Sequence, residues 1–202
     1  MTIFIEVNEN NLLEKAREGD DHAFGQLVER YQAPVYNLCY RMLGNSGDAE
    51  DAAQEAFLRA YRKLHTYDPK RKFVNWLLTI ASNYCVDKLR KRRFTFVSLN
   101  ELQPKKAVRD KATEPERALT LMDKQSEMQE LLRQLGPRDR AVIVLKYWSD
   151  MSYREIASTL SISESAVKSR LHRSKKELAD LWGKRNDQLA LTNRRQDEAS
   201  AI

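Results

Sequence analysis

Apolar residues recur at intervals of three and four along two separate stretches of this chain, and a run of about thirty residues between them has no such period. In the first stretch the series is Phe24, Leu27, Val28, Tyr31, Val35, Leu38 and Met42, then Ala53, Phe57, Ala60 and Leu64. Gly44-Asn45-Ser46-Gly47 and Thr66-Tyr67-Asp68-Pro69 interrupt it, which predicts three or four helices. In the second stretch the series is Met128, Leu131, Leu132 and Leu135, then Val142, Ile143 and Leu145 beyond Gly136-Pro137. No alternating strand pattern competes, so the predicted fold is all-α. Between Thr95 and Lys124 the period is lost, Pro104 and Pro115 appear and charges mix. Such a length is unusual inside one compact domain and fits a flexible linker between two small helical domains. As a coil it would reach about 30 Å root-mean-square, and roughly 100 Å fully extended.

The stretch after Tyr147 is the most informative. Ser152-Tyr153-Arg154-Glu155 has the spacing of a capping box and opens a short amphipathic helix through Ile156, Ala157 and Leu160. Ser161-Ile162-Ser163 supplies a brief turn, and helical periodicity resumes from Glu164 to Leu181, giving helix, turn, helix. At 100° per residue, Val167, Leu171, Ser174 and Leu178 share one arc of the second helix. The opposite arc holds Ser165, Ser169, His172 and Lys176, flanked by Lys168 and Arg173. Between Ala166 and Lys176 stand five Lys or Arg and no acid. A solvated face normally mixes signs; an apolar seam opposite an uncompensated basic face suits a DNA major groove, where serines and cations reach base edges and phosphates.

The charge of the whole chain agrees with a polyanionic partner. It has 202 residues, 32% of them charged, with a formal net charge of +6. The opening residues lack a basic segment followed by an apolar run, and no stretch approaches the length of a membrane span, so a cytoplasmic protein is expected. Cys39 and Cys85 have no spacing with His22, His65 and His172 that resembles a zinc site. Neither a phosphate-binding glycine loop nor a nucleophile and base set is recognisable. No metal, cofactor, small-molecule substrate or catalytic residue is expected.

The first half carries two further charged features. Asp48, Asp51 and Glu55 fall on one face of a helix from Asp48 to Leu64, beside Gln54 and Leu58. Taken alone, Asp48 and Asp51 favour the helix start at the positive end of its dipole, the alternative being a protein-binding face. Later, a helix containing Phe73, Trp76, Leu77, Ile80, Ala81 and Tyr84 runs into Lys88, Arg90, Lys91, Arg92 and Arg93, opposed only by Asp87. Aromatics interleave there with Lys70, Arg71 and Lys72, a mixture suited to unstacked bases and phosphates, although each aromatic singly, Trp76 above all, reads as core.

With those features located, the chain resembles the extracytoplasmic-function sigma factors, and within them the group associated with envelope stress. The resembling segments are AFGQLVERYQAPVYNLCYRMLGN (23–45), DAEDAAQEAFLRAYRKL (48–64), RKFVNWLLTIASNYCVDKLRK (71–91), LGPRDRAVIVLKYWSDMSYREIASTL (135–160) and SISESAVKSRLHRSKKEL (161–178). The resemblance implies an N-terminal extension with the start of the first helix (1–19), region 2 (20–94), a linker (95–124) and region 4 (125–183); the tail (184–202) has no counterpart in the family and is expected to be disordered. It implies that Asp48, Asp51, Gln54, Glu55 and Leu58 bind core RNA polymerase at the β′ clamp helices, with a further contact to the β flap. It assigns Lys70, Arg71, Lys72, Asn83, Asp87, Lys88, Arg90 and Lys91 to the −10 element, where a flipped base is accepted. Ser165, Lys168, Ser169, His172, Arg173 and Lys176 then fall to −35 DNA. The chain departs from the family pattern at the −10 loop, which is more basic and contains Pro69, and at His172, where an aromatic residue is common. Members of the family are typically silenced by an anti-sigma factor, which is often membrane-anchored. The alternative on the residues alone is a free-standing helix-turn-helix regulator whose first half dimerises or senses a ligand.

Overall fold

The computed structural model describes residues 2–100 and 121–200, with side chains over 9–92 and 126–187. Eight α-helices and a 3-10 turn account for the described residues, among which there is no strand: α1 Thr2–Arg17, α2 Asp21–Leu43, α3 Ser46–Lys63, the turn Leu64–Thr66, α4 Phe73–Asn100, α5 Leu121–Gln134, α6 Pro137–Tyr147, α7 Tyr153–Leu160 and α8 Glu164–Ser200. Local chemistry fixes these boundaries. Asp20 caps α2 by accepting from the His22 and Ala23 amides at 2.9 and 3.0 Å. Gly44 ends it in the left-handed conformation, φ 85°, and its amide donates to Tyr40 O at 2.8 Å. Asn45 then caps α3.

α1 to α4 form one bundle. Ala49, Ala52, Ala53, Ala56 and Ala60 make the buried side of α3 small enough for close approach to α2, whose Leu27, Val35, Leu38 and Met42 are buried there. Leu77, Leu78, Ala81 and Cys85 of α4 close this core, and Leu12, Leu13 and Ala16 join α1 to it. In the second half the capping box expected at Ser152 forms: Glu155 N donates to Ser152 Oγ, and Ser152 N donates to Glu155 Oε2 at 2.7 Å. Ser161 takes the left-handed conformation in the turn, φ 53°, and Ser163 Oγ accepts from Ala166 N to start α8. Val167, Leu171 and Ser174 are buried as the helical arc requires.

The two helical units differ from the sequence expectation in three respects. α4 continues to Asn100 and α5 starts at Leu121, so helix enters both ends of the expected linker; its middle, 101–120, lies outside the described residues. α8 runs to Ser200 as helix, where the tail from 184 was expected to lack structure. And the units touch: α6 and α7 pack on α4, and α5 and α6 on α2. Residues Arg140 to Leu145 are buried consecutively around α6, which only a helix covered on every side can satisfy. The cores of the two halves are therefore continuous.

Candidate nucleic-acid interface

The basic face of α8 is intact. Ser165, Lys168, Ser169, His172, Arg173 and Lys176 are all exposed, opposite the seam of Val167 and Leu171. Arg170 is not part of it. Its guanidinium pairs with Asp139 of α6 at 2.7 Å and fastens α8 to the rest of the unit. Tyr153 at the start of α7, 39% exposed, lies beside the face, with Lys168 Nζ 5.8 Å from its ring. Only folding brings Tyr153 there.

The −10 candidates form two groups, one just before α4 and one farther along it. Lys70, Arg71 and Lys72 are exposed in the loop before it, held by Tyr67, whose hydroxyl donates to Arg71 O at 2.5 Å. Tyr67 is buried against Phe73 and Trp76, and Phe73 also meets Tyr31. Trp76, expected in the core, is only half-buried, since one side of the ring borders the cleft facing α7. Beside the loop a pocket of about 370 Å³ is bordered by Glu9, Tyr31, Tyr67, Arg71 and Phe73. The Tyr31 hydroxyl bonds Glu9 there, and burial first, then Glu9, push its titration up. Farther along, Asp87, Lys88, Arg90 and Lys91 surround a second pocket with Arg59 and Tyr84, the Arg59 guanidinium lying 4.7 Å from the Tyr84 ring centre. Asn83 is exposed between the groups. At 100° per residue, Lys72, Trp76, Asn83, Asp87 and Arg90 keep to one side of α4.

Of the α3 candidates, Asp51, Gln54 and Leu58 are exposed, Leu58 by 52%. Glu55 pairs with Arg59 one turn on, at 2.7 Å. Asp48 is turned inward: it pairs with Lys88 at 2.7 Å and Arg92 at 2.5 Å and accepts from Asn45. Burial opposes its ionisation, but the bonds from Arg92, Lys88 and Asn45 outweigh that and hold the carboxyl well below the usual carboxylate range. Lys88, assigned to DNA by resemblance, is committed to the same pair. Next to Gln54 lies an apolar groove between α2 and α3, bordered by Val28, Ala33, Tyr36, Ala53 and Phe57. The sequence reading missed it, because the residues belong to two helices and each stretch looks like ordinary core. No group of metal-ligating side chains occurs among the described residues, and no described helix is long and apolar enough to cross a membrane.

Two helical units, one a helix-turn-helix with a single-signed face and the other with a cationic helix and loop, define a DNA-binding protein. Comparison with known proteins sharpens this. Residues 27–95 match Sigma-70 region 2 and residues 125–178 match Sigma-70, region 4. The ECF RNA polymerase sigma factor SigW of Bacillus subtilis is 36% identical over 179 residues, covering 84% of this chain and 96% of that protein. The RNA polymerase sigma factor CarQ of Myxococcus xanthus is 31% identical, covering 85% and 95%. CnrH, solved in complex with the cytosolic domain of CnrY, superposes with a TM-score of 0.63 at 27% identity, over 87% of this chain and 97% of that one. The chain belongs to the extracytoplasmic-function family of RNA polymerase sigma factors. It is an alternative sigma factor, directing transcription initiation with core RNA polymerase at promoter DNA.

Proposed function

We propose that α8 reads the −35 element through Ser165, Lys168, Ser169, His172, Arg173 and Lys176, and that the α4 side of the first unit reads and opens the −10 element. The observation that carries this is the α8 face, where six side chains able to meet bases or phosphates stand exposed together opposite the buried seam. On the −10 side, Lys70, Arg71 and Lys72 neutralise phosphates, and the pocket walled by Tyr31, Tyr67 and Phe73 accepts a base turned out of the stack. Asn83, Asp87, Arg90 and Lys91 extend the track along α4. Unstacking a base takes a few kcal/mol, drawn from pocket contacts and phosphate neutralisation, so opening needs neither hydrolysis nor a catalytic group.

Core polymerase is held by α3. Its β′ clamp helices meet Asp51, Gln54, Glu55 and Leu58 and the adjoining apolar groove, while the β flap takes region 4. Asp48 supports the site from within, fastening α4 to α3. The chain works in the cytoplasm and is silenced by an anti-sigma factor, as the solved complex of CnrH with CnrY suggests by analogy, and a membrane-anchored one would hold it at the membrane. Run-off transcription with core polymerase on a genomic promoter library tests the assignment, with initiation at sites sharing −35 and −10 sequences as the expected outcome. A chain that protected an operator by itself and did not co-purify with core would be a free-standing regulator instead.

A further inference from the structure

Among the described residues that border the pocket beside the −10 loop, Glu9 is the only acid. The rim is otherwise cationic, with Lys70, Arg71 and Lys72, and the walls are aromatic, with Tyr31, Tyr67 and Phe73. Glu9 belongs to α1, which packs on α2 and on the turn Leu64–Thr66, with Leu12, Leu13 and Ala16 buried. The match to Sigma-70 region 2 begins at residue 27, so it assigns nothing to α1.

The Glu9 carboxylate accepts from the Tyr31 hydroxyl. Its charge also reaches Tyr67, whose titration is pushed up by burial first and then by Glu9. Arg30 stands 3.9 Å from it, beyond hydrogen-bonding reach, so the guanidinium balances the charge without occupying the oxygens. A carboxylate has about four acceptor sites and no donor, and Tyr31 fills one of them. What remains is a pair of accepting oxygens at the side of a cavity whose walls suit a flat ring. Lys70, Arg71 and Lys72 keep the rim attractive to phosphate despite the acid.

We infer that Glu9 selects guanine as the base this pocket accepts. The inference rests on the −10 assignment proposed above. A base turned out of the stack is read along its Watson–Crick edge. On that edge guanine offers two adjacent N–H donors, at N1 and N2, which match the two oxygens of a carboxylate. Adenine and cytosine place one donor beside the lone pair of a ring nitrogen. Thymine places its single N–H between two carbonyl oxygens. Each of these three sets an acceptor against an anionic oxygen, whereas a donor pair gains the added strength of bonding to one. Asn10 borders the same pocket, and its amide carries a donor for guanine O6.

The test is run-off transcription by the full chain with core polymerase, on a promoter the chain transcribes, with each of the four bases placed in turn at every non-template −10 position. The parent should favour guanine at one position by about tenfold. Glu9→Gln keeps an acceptor for the Tyr31 hydroxyl but presents one donor and one acceptor, the pattern that complements adenine. It should move the preference at that position from guanine to adenine. Tyr31→Phe keeps the aromatic wall and frees the carboxylate, and should shrink the guanine preference without transferring it. If Glu9 only tethered α1 to α2, its replacement would lower initiation on all templates alike and leave the base ratios unmoved. An unchanged base profile in Glu9→Gln, or a parent that favours another base where Glu9→Gln acts, would overturn the inference. Were Lys70→Ala with Lys72→Ala to lower initiation on every template while Glu9→Gln kept the parent profile, the inference would fall and the −10 assignment would stand. Were both variants to behave as the parent, the −10 assignment would fall with it.

Discussion

Arg170 and Arg173 stand three residues apart on α8 and have opposite employments. Arg170 is tied to Asp139, whereas Arg173 is exposed on the face proposed to read the −35 element. Arg173→Ala should weaken −35 duplex binding by about 1–3 kcal/mol if it reads a base, or lower the salt dependence if it meets phosphate, as filter binding at several salt concentrations would register. Arg170→Ala should lower the melting temperature instead and leave the salt slope alone. Asp48 offers a pH signature. Its folded carboxyl titrates below the unfolded one, so its contribution is complete above the unfolded value near 3.8 and is lost as pH falls below it. Asp48→Asn should therefore be less stable than the parent at pH 7, by about 1 kcal/mol given partial exposure, with the gap closing in acid melts below pH about 4. A gap that persisted there would point to the Asn45 cap rather than the ion pairs.

At the scale of elements, α3 carries a buried alanine side and an exposed side proposed for core polymerase, and α7 starts at the capping hydroxyl of Ser152. Exchanging Asp51 and Glu55 for Lys should abolish capture of core polymerase in a pull-down while the circular dichroism of the chain is unchanged. Retained capture would remove α3 from the interface. Ser152→Ala removes the hydroxyl that starts α7 and should lower stability by about 1 kcal/mol in thermal melts. Helix starts and stops were readable because they depend on neighbours in sequence: the capping box at Ser152, the break at Gly44 and Asn45, and the Gly136-Pro137 start of α6 all stand where residue chemistry puts them. The length of α4 and α8 was not so readable, since neither Thr95 to Asn100 nor Lys184 to Ser200 carries a stop strong enough to end a helix already formed.

For the molecule as a whole, the hydrogen bonds that Gln129 and Arg133 donate to Tyr40 O, Arg41 O and Gly44 O at the end of α2 have a consequence in solution. Small-angle scattering of the free chain should give a compact particle that expands when Gln129 and Arg133 are both replaced by Ala, and an unchanged radius would show that the packing of α6 holds the units together without these bonds. Glu155 acts in the same direction. Burial works against its charge, but bonds from Ser152 and Asn75, and Lys72 nearby, hold its carboxyl below the usual range, so its contribution to the contact with α4 is present at neutral pH and fades as pH drops below about 4.5.

By itself the sequence determined the all-α class, the two units, the helix-turn-helix and the single-signed face of α8, because periodicity, capping and charge along one helix are local quantities. It also held an unread clue in Ala141 to Leu145, five apolar residues in a row, which a one-sided helix does not need. Only the tertiary structure decided that Asp48 turns inward to Lys88 and Arg92, that Trp76 edges a cleft, and that Gln129, Arg133 and Arg140 finish α2. Those pairings join residues 40 to 98 positions apart, and no local rule relates groups that meet only after the helices have packed.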